Sequence, residues 1–323
     1  MTFPVSGVEV SPIVPPLVAL VVSAFTSMGG VSGAFLLLPF QVSVLGFAGP
    51  AVSPTNLVYN IVAIPGGVLR YVRERRMVWP LTCSIIVATL PGTCLGAIVR
   101  IKYLPDPRAF KFFVGWVLLY VGGRLVCDLV SRAHPRHNGS KVGRAESRDL
   151  PVKVARPQSG VASGSSESAD FLVRTIQWSW RQITYSFAGQ TFTLSTLRLF
   201  PLMFLVGIVG GTYGIGGGAI VGPLLVTLFR LPVHTIAGAV LTSTFVTSLA
   251  GVIFYRLAAM HYAETGLAIA PDWLLGVLFG VGGLVGTYVG ARCQKYVSAS
   301  AIKLILAATV LILGLRYIGG FFC

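Results

Sequence analysis

The chain has 323 residues, of which 54% are hydrophobic and only 11% are charged, and its mean hydropathy is +0.79. Soluble proteins carry roughly 25% charged residues, so this composition excludes an ordinary water-soluble domain and indicates an all-α polytopic membrane protein. The net charge of +15 does not indicate nucleic-acid binding, because basic loops beside anionic lipid account for it.

Ten apolar segments follow in chain order, five in each half. In the first half they cover 12–28, 31–48, 54–70, 78–99 and 109–131, and in the second half 198–212, 216–230, 235–255, 270–291 and 300–320. The first two segments of each half are short for a span of about 20 residues. We therefore predict that each pair forms a helical hairpin or a broken helix, followed by three full spans. The predicted membrane repeats are residues 1–131 and 198–323.

A glycine cluster joins the two short segments in each half. The first cluster runs from Ser27 to Ala34, with Pro39 beyond it, and the second from Tyr213 to Gly218, with Pro223 beyond it. Aligning the two prolines places Gly30 on Gly214, Ser32 on Gly216 and Gly33 on Gly217. Irregular backbone at membrane depth is tolerated only where protein buries it or it lines a cavity, and paired interruptions indicate a transporter's binding site. The alternative is that these glycines only permit close helix packing.

Positive charge sets the predicted orientation. Arg70, Arg73, Arg75 and Arg76 follow the third segment, Arg292, Lys295 and Lys303 follow the ninth, and the linker is also basic. All three lie in the cytoplasm only if the halves are inverted repeats with the N-terminus outside. The loop with Arg100, Lys102, Arg108 and Lys111 then lies outside, against the rule. A parallel four-plus-four arrangement places two basic loops outside, so we favour the inverted one, in the cell inner membrane.

The linker, residues 132–197, is predicted to be cytoplasmic and partly disordered, because residues 132–170 are rich in Ser, Gly and Arg. Residues 175–194 differ, since apolar and polar residues alternate on both sides of Ala188-Gly189. This pattern predicts a small cytoplasmic β-hairpin insert. The alternative is an interfacial element anchored by Trp178 and Trp180.

The candidate substrate-binding residues come from two matched places in the halves. Helices that begin after the glycine breaks would direct free N–H groups into a cavity, which suits an anion. At the start of the third segment, Thr55 and Asn56 match Thr242 and Ser243, and Asn60 and Thr247 lie about one turn further on. The predicted set is Ser32, Gly33, Thr55, Asn56, Gly216, Gly217, Thr242 and Ser243. Tyr213 adds a hydroxyl at the edge of the second cluster, and Arg230 is a candidate at the cytoplasmic mouth.

Several classes of function lack support in the sequence. None of the ten carboxylates falls deep in a predicted span, whereas a cation transporter or a carboxylate proton relay needs one there. Asp128 comes closest, four residues from Arg124, at salt-bridge spacing. No catalytic residues, cofactor or metal site are predicted, because the histidines and cysteines show no ligand spacing. The expected partners are a small anionic substrate and the lipid bilayer, with no nucleic acid; a homodimer and a monomer both stay open.

Two stretches carry a family resemblance. They are the run GIGGGAIVGPLL from Gly214 to Leu225 and the run AGAVLTS from Ala237 to Ser243, with weaker echoes at 30–39 and 51–56. Together they resemble the sulfite exporter TauE/SafE family of membrane permeases. The first copy departs from the glycine triplet, because Ser32 and Ala34 flank Gly33. The resemblance implies export of a small sulfur-containing anion, such as sulfite or an organosulfonate like sulfoacetate, by alternating access. An anion channel, and a membrane-embedded enzyme or partner subunit, are the alternatives.

Overall fold

A computed structural model shows how these segments fold. The structure describes residues 1–28, 32–74, 77–133, 152–155, 174–179, 181–187, 190–229, 231, 233–262, 266–293 and 299–322. Several residues that the sequence singled out lie outside this set: Gly29 to Val31, Arg75, Arg76, Trp180, Arg230, Lys295 and the side chains of Asp128 and Lys303.

The described first half folds into helices that match the predicted segments. They are α1 (Val14–Met28), α2 (Ala34–Ser43), α3 (Val52–Ala63), α4 (Pro65–Arg73), α5 (Trp79–Lys102) and α6 (Pro107–Ala133). The second half contains α7 (Thr196–Tyr213), α8 (Gly218–Leu228), α9 (Val233–His261), α10 (Trp273–Cys293) and α11 (Ala299–Phe322). Within the described residues, six helices are long and apolar enough to cross a bilayer, namely α5, α6, α7, α9, α10 and α11. The predicted class, an all-α polytopic membrane protein, is confirmed.

The third segment of the first half differs from its prediction as one span. It is interrupted between α3 and α4 at Pro65, because proline has no N–H to donate to the carbonyl of the preceding turn, although Ile64 before it keeps right-handed helical torsions. The equivalent α9 continues for 29 residues. The halves therefore share a segment order but differ in the length of this helix.

The two halves pack crosswise on each other. Helix α5 packs on α7, and its counterpart α10 packs on α1 in the same way. Along α10, Gly282 faces Pro16, Gly286 faces Leu20 and Gly290 faces Ala24. Both series rise together, so α1 and α10 run in parallel. Small residues at this four-residue spacing let helix backbones approach closely in membranes.

Equivalent helices of the two halves run in opposite directions. Helix α6 meets its counterpart α11 with Gly115 against Ile318 and Gly122 against Leu311, so one series rises while the other falls. Helices α3 and α9 are also antiparallel, since Leu57 contacts Gly251 and Asn60 contacts Ser248. Repeats related by an axis in the membrane plane have this property. The inverted arrangement stays a prediction, which these directions support.

The linker contains more strand than the predicted hairpin. Its strands are β1 (Val152–Ala155), β2 (Arg174–Trp178), β3 (Gln182–Phe187) and β4 (Gln190–Ser195), and they form an antiparallel sheet in the order β1-β4-β3-β2. The predicted hairpin is β3 and β4. Tyr185 is buried against helix α9, and its hydroxyl lies 3.1 Å from that of Thr235. Burial raises the pKa of Tyr185 to about 12, because the ionised phenol is poorly solvated there.

Candidate functional site

The second glycine cluster forms a left-handed loop between α7 and α8. Gly214, Gly216 and Gly217 have φ of +86°, +65° and +77°, a region that side chains with a Cβ rarely adopt. Gly217 caps α8 without a side-chain hydrogen bond. The N–H groups of Ile220 and Val221 already donate to the Gly217 carbonyl, over 2.9 and 3.0 Å. Those of the first two residues of α8 precede any acceptor in the helix, and they carry the positive end of its dipole.

Hydroxyl side chains of α9 hold this loop in place. The Thr247 hydroxyl oxygen lies 2.9 Å from the Gly216 carbonyl oxygen and 2.7 Å from that of Ser243, so its single proton is shared between the loop and its own helix. The Cα of Gly216 also packs so closely on α9 that an added Cβ would lie 2.6 Å from the Ser248 hydroxyl oxygen. At Gly217, in contrast, an added Cβ would meet nothing nearer than 3.6 Å. Packing therefore requires glycine at 216, whereas only the backbone conformation requires it at 217.

Gly33, the described glycine of the first cluster, differs from these glycines in its backbone conformation. Gly33 has right-handed helical torsions, with φ −58° and ψ −33°, and it precedes α2. An added Cβ at Gly33 would collide with the hydroxyls of Ser23 and Tyr59, which lie 2.8 Å apart and hydrogen-bond each other. Glycine is needed here for close approach, which is the packing interpretation. Ser32 is half-buried just before it.

Asn56 joins the two breaks. Its side-chain nitrogen donates to the Ala34 carbonyl at the start of α2 and to the Gly214 carbonyl in the second loop, each over 3.0 Å. A second link is the Tyr213 hydroxyl, which donates to the Phe35 carbonyl over 3.0 Å. The structure thus brings together the two glycine breaks that the sequence paired, and it places predicted site residue Asn56 between them.

Thr55 and Thr242 occupy matching places in the two halves. The Thr55 hydroxyl accepts from the N–H of Asp272, the residue before α10, over 2.9 Å. The Thr242 hydroxyl lies 3.8 Å from the sulfur of Met77, two residues before α5. Each threonine thus contacts the residues leading into the fourth segment of the opposite half, as the sequence alignment implies. The side chains of these two threonines share no hydrogen bond with each other or with the Asn56 side chain, and Thr242 lies nine residues into α9 rather than at its start.

Two of the four predicted hydroxyls already donate to backbone carbonyls. A hydroxyl has one proton, and Thr55 gives its proton to the Ala51 carbonyl over 2.7 Å, while Ser243 gives its proton to Val240 over 2.9 Å. Thr242 differs, because sulfur is only a weak acceptor. Among the three buried hydroxyls of the predicted set, those of Thr55, Thr242 and Ser243, the Thr242 hydroxyl therefore has the proton most easily given to a ligand.

Sequence reasoning missed two polar residues beside this region. Gln41 of α2 is fully buried, and its side-chain nitrogen donates to the Asn56 side-chain oxygen over 3.4 Å. Asp272 is also buried, and its carboxylate accepts from the Ser6 N–H and hydroxyl and from the Leu275 N–H. The signal for Gln41 was its position in an otherwise apolar run. Asp272 was not predicted as a site residue because it lies only two residues inside the predicted segment 270–291, at its edge rather than deep in the span.

Arg100 was assigned to an exposed loop, but it is fully buried near the end of α5. Its guanidinium donates to the carbonyls of Ala48, Gly49 and Leu104, and the Phe110 ring centroid lies 3.7 Å from its central carbon. Carbonyls and an aromatic face thus surround this cation. Arg100 joins the loop before α3 to the loop after α5.

Ionisable clusters do not mark a metal centre in this part of the chain. Among the described residues, no group of three or more His, Cys, Asp or Glu side chains could hold a metal ion. The Arg124 guanidinium donates to the Pro223 carbonyl of α8 over 3.2 Å. The chemistry at the breaks is thus that of backbone amides, hydroxyls and carboxamides.

The comparisons with known proteins agree with this architecture. The chain is 23% identical over 310 residues to the probable membrane transporter protein YjnA of Bacillus subtilis, covering 94% of this chain and 98% of that protein. It is 20% identical to the probable membrane transporter protein YunE of the same organism, covering 82% and 79%. A third match, at 33% identity to the probable membrane transporter protein YdhB, covers 33% of this chain and 39% of that protein.

No solved structure matches the chain. The family model described as sulfite exporter TauE/SafE matches residues 16–317, nearly the whole length. With six apolar helices of spanning length and two glycine breaks joined at their centre, the chain is a multi-pass membrane protein that belongs to the sulfite exporter TauE/SafE family.

Proposed function

We propose that this protein is a secondary transporter that exports a small sulfur-containing anion, sulfite or an organosulfonate, by alternating access. The observation that carries the proposal is the meeting of the two glycine breaks at Asn56. Transporters built from two repeats bind substrate where their broken segments meet. Membership in the sulfite exporter TauE/SafE family supplies the sulfur-anion class. We infer that the chain acts by transport and not by catalysis.

The proposed site binds negative charge without a lysine or arginine at its centre. The helix starts after Gly33 and Gly217 supply N–H groups, and Ser32, Thr55, Asn56, Gly216, Thr242 and Ser243 complete the proposed set. A hydrogen bond to a charged group contributes roughly 1.5–3 kcal/mol. Because Thr55, Asn56 and Ser243 donate to carbonyls in this conformation, substrate binding requires that these side chains exchange partners as the halves move.

We propose that the protein lies in the cell inner membrane, with its N-terminus outside and its linker in the cytoplasm. Helices α3 and α10 run in parallel, since Gly276 packs on Val58 and Gly280 on Val62. One basic stretch begins at Arg70, after α3, and the other ends at residue 303, after α10. The parallel packing of the two helices supports placing both stretches on one face of the membrane. Labelling of single cysteines introduced at 74 and 295 should occur from the same side; labelling from opposite sides would contradict it.

Transport by the purified protein in liposomes tests the function directly. We expect saturable uptake of sulfite or sulfoacetate that is accelerated by the same anion on the opposite side, which separates a carrier from a channel. Gly217→Leu should abolish uptake while the protein still inserts. The matched control is Gly222→Leu on the same helix, because a Cβ at Gly222 has no neighbour within 4 Å.

Two results would contradict the proposed transport function or the proposed role of Gly217. Equal uptake by protein-free liposomes would mean that the chain does not transport these anions by itself, and would favour a partner subunit. Normal uptake by Gly217→Leu would show that this glycine does not approach the substrate.

Light scattering of the same purified sample decides between a monomer and a homodimer.

A further inference from the structure

Two buried amide oxygens lie beside the proposed site without a donor. They are Oε1 of Gln41 and Oδ1 of Asn60, both on side chains with no exposed surface, and neither accepts a hydrogen bond from any described residue. Gln41 contacts Asn56, and Asn60 follows Asn56 by one helical turn of α3, on the same face. The two unpaired oxygens therefore flank the residue that joins the breaks.

The orientation of the Gln41 amide is fixed by its neighbours. Asn56 must turn its nitrogen to the carbonyls of Ala34 and Gly214, because a carbonyl can only accept. The Asn56 oxygen then faces Gln41, so Gln41 must donate with its nitrogen. The Gln41 oxygen is the atom left over. Exchanging its oxygen and nitrogen would set two oxygens against each other.

Asn60 connects the same region to the second break. In the structure its nitrogen lies 3.3 Å from the hydroxyl oxygen of Ser248, which packs on Gly216. Because a hydroxyl can donate or accept, this contact does not fix the Asn60 amide as the Asn56 contact fixes that of Gln41; Asn60 presents an unpaired oxygen in the orientation shown. An amide oxygen buried without a donor is costly, and an apolar residue of similar size would avoid that cost. Retaining such an oxygen at Gln41 beside an anion site is consistent with a ligand that brings a donor of its own.

We propose that Gln41 and Asn60 accept a hydrogen bond from an O–H group of the substrate. This inference rests on the proposed function and narrows its substrate class. The site then combines helix N–H donors for the negative charge with amide acceptors for a proton-bearing group. A monoanion with a hydroxyl satisfies both, whereas an anion without a hydroxyl leaves the two oxygens unpaired. Sites built to hydrogen-bond a substrate group discriminate against analogues that lack it.

Binding of two matched sulfonates to the purified full-length protein tests the proposal. 2-Hydroxyethanesulfonate and ethanesulfonate differ only by one hydroxyl, and calorimetry at one pH measures both affinities. We expect the hydroxylated anion to bind at least about 10-fold more tightly to the wild type. Gln41→Met and Asn60→Leu should reduce this preference to less than about 3-fold. Thr287→Val is the control, because its hydroxyl bonds only its own helix at Gly283.

Each other outcome contradicts the inference. Equal binding of both sulfonates by the wild type overturns it and leaves the proposed function intact, since an anion is still bound. Binding of neither sulfonate overturns the inference together with the organosulfonate part of the proposed function. A preference that persists in both folded variants means that the oxygens bind only water. If the preference changes when choline replaces sodium in the buffer, and the variants alter that change, the oxygens hold a cation instead. If Gln41→Met fails to fold, Asn60→Leu alone decides.

Discussion

The two glycine breaks occupy matching places in the two halves, yet they use glycine for different physical reasons. In the second break, Gly214 and Gly217 need glycine because their φ angles are +86° and +77°. In the first break, Gly33 has ordinary helical torsions, and its hydrogen only makes room for the hydroxyls of Ser23 and Tyr59. The repeat determines where the chain breaks, while local packing determines how it breaks.

This difference predicts how each break responds to mutation. A backbone requirement is not relieved by trimming a neighbouring side chain, whereas a close approach to a side chain is. The second break should therefore be intolerant of any Cβ at its tightest position, and the first should tolerate one when its neighbours shrink. The predictions below run from the largest expected effect to the smallest.

Gly214→Ala should have the largest effect. A Cβ there would lie 2.5 to 2.9 Å from backbone atoms of Ser53, which cannot rotate away, and the φ of +86° is strained for alanine. Left-handed torsions cost roughly 1–2 kcal/mol and overpacking costs about 1–3 kcal/mol more. We expect a large drop in the unfolding midpoint in detergent. Gly222→Ala is the control, and equal stability of the two variants would show that the loop relaxes easily.

Asn56→Leu should be the next most harmful change. It leaves the carbonyls of Ala34 and Gly214 without their donor, and a buried unpaired group costs roughly 1–3 kcal/mol. The expected loss of unfolding free energy is on the order of 3 kcal/mol, with the breaks uncoupled. Hydrogen exchange should then increase at residues 214–217 more than in α6. Unchanged exchange at the second break would mean that Asn56 does not hold it.

Gly33→Ala should destabilise the protein by about 1–3 kcal/mol through overpacking. Because the clash is with side-chain hydroxyls, the double variant with Tyr59→Phe should recover part of the loss. The measurement is a double-mutant cycle on the unfolding midpoint. A purely additive cycle would contradict the packing account of the first break. No side-chain substitution should rescue Gly214→Ala in the same way.

Thr242→Val should have the smallest effect on stability, within about 1 kcal/mol, because the lost contact is a weak one to the Met77 sulfur. Its effect on substrate affinity should be larger, on the order of 10- to 100-fold, since this proton is available to a ligand. Thr309→Val is the matched control, because the Thr309 hydroxyl donates to Ile305 of its own helix α11, away from the proposed set. Equal affinities of wild type and Thr242→Val would place the site away from this hydroxyl.

The sequence by itself determined the class of protein, the ten apolar segments, the position of both breaks and the β3–β4 hairpin. These features depend on hydropathy, glycine and alternation, which act over a few residues and can be recognised without knowing distant neighbours. The alignment of Thr55 with Thr242 also proved informative, because each contacts the chain that leads into the fourth segment of the other half.

Only the tertiary structure decided which side chains share hydrogen bonds. The crosswise packing of α5 on α7 and α1 on α10 brings Asn56 to Gly214, 158 residues away, and buries Arg100 among loop carbonyls. It also leaves the oxygens of Gln41 and Asn60 unpaired. The sequence shows that a carboxamide or guanidinium group is present, but it does not show whether the partner of that group is a carbonyl, water or a ligand. Its role therefore depends on which distant backbone atoms the fold places within 3 Å, and no local pattern contains that information.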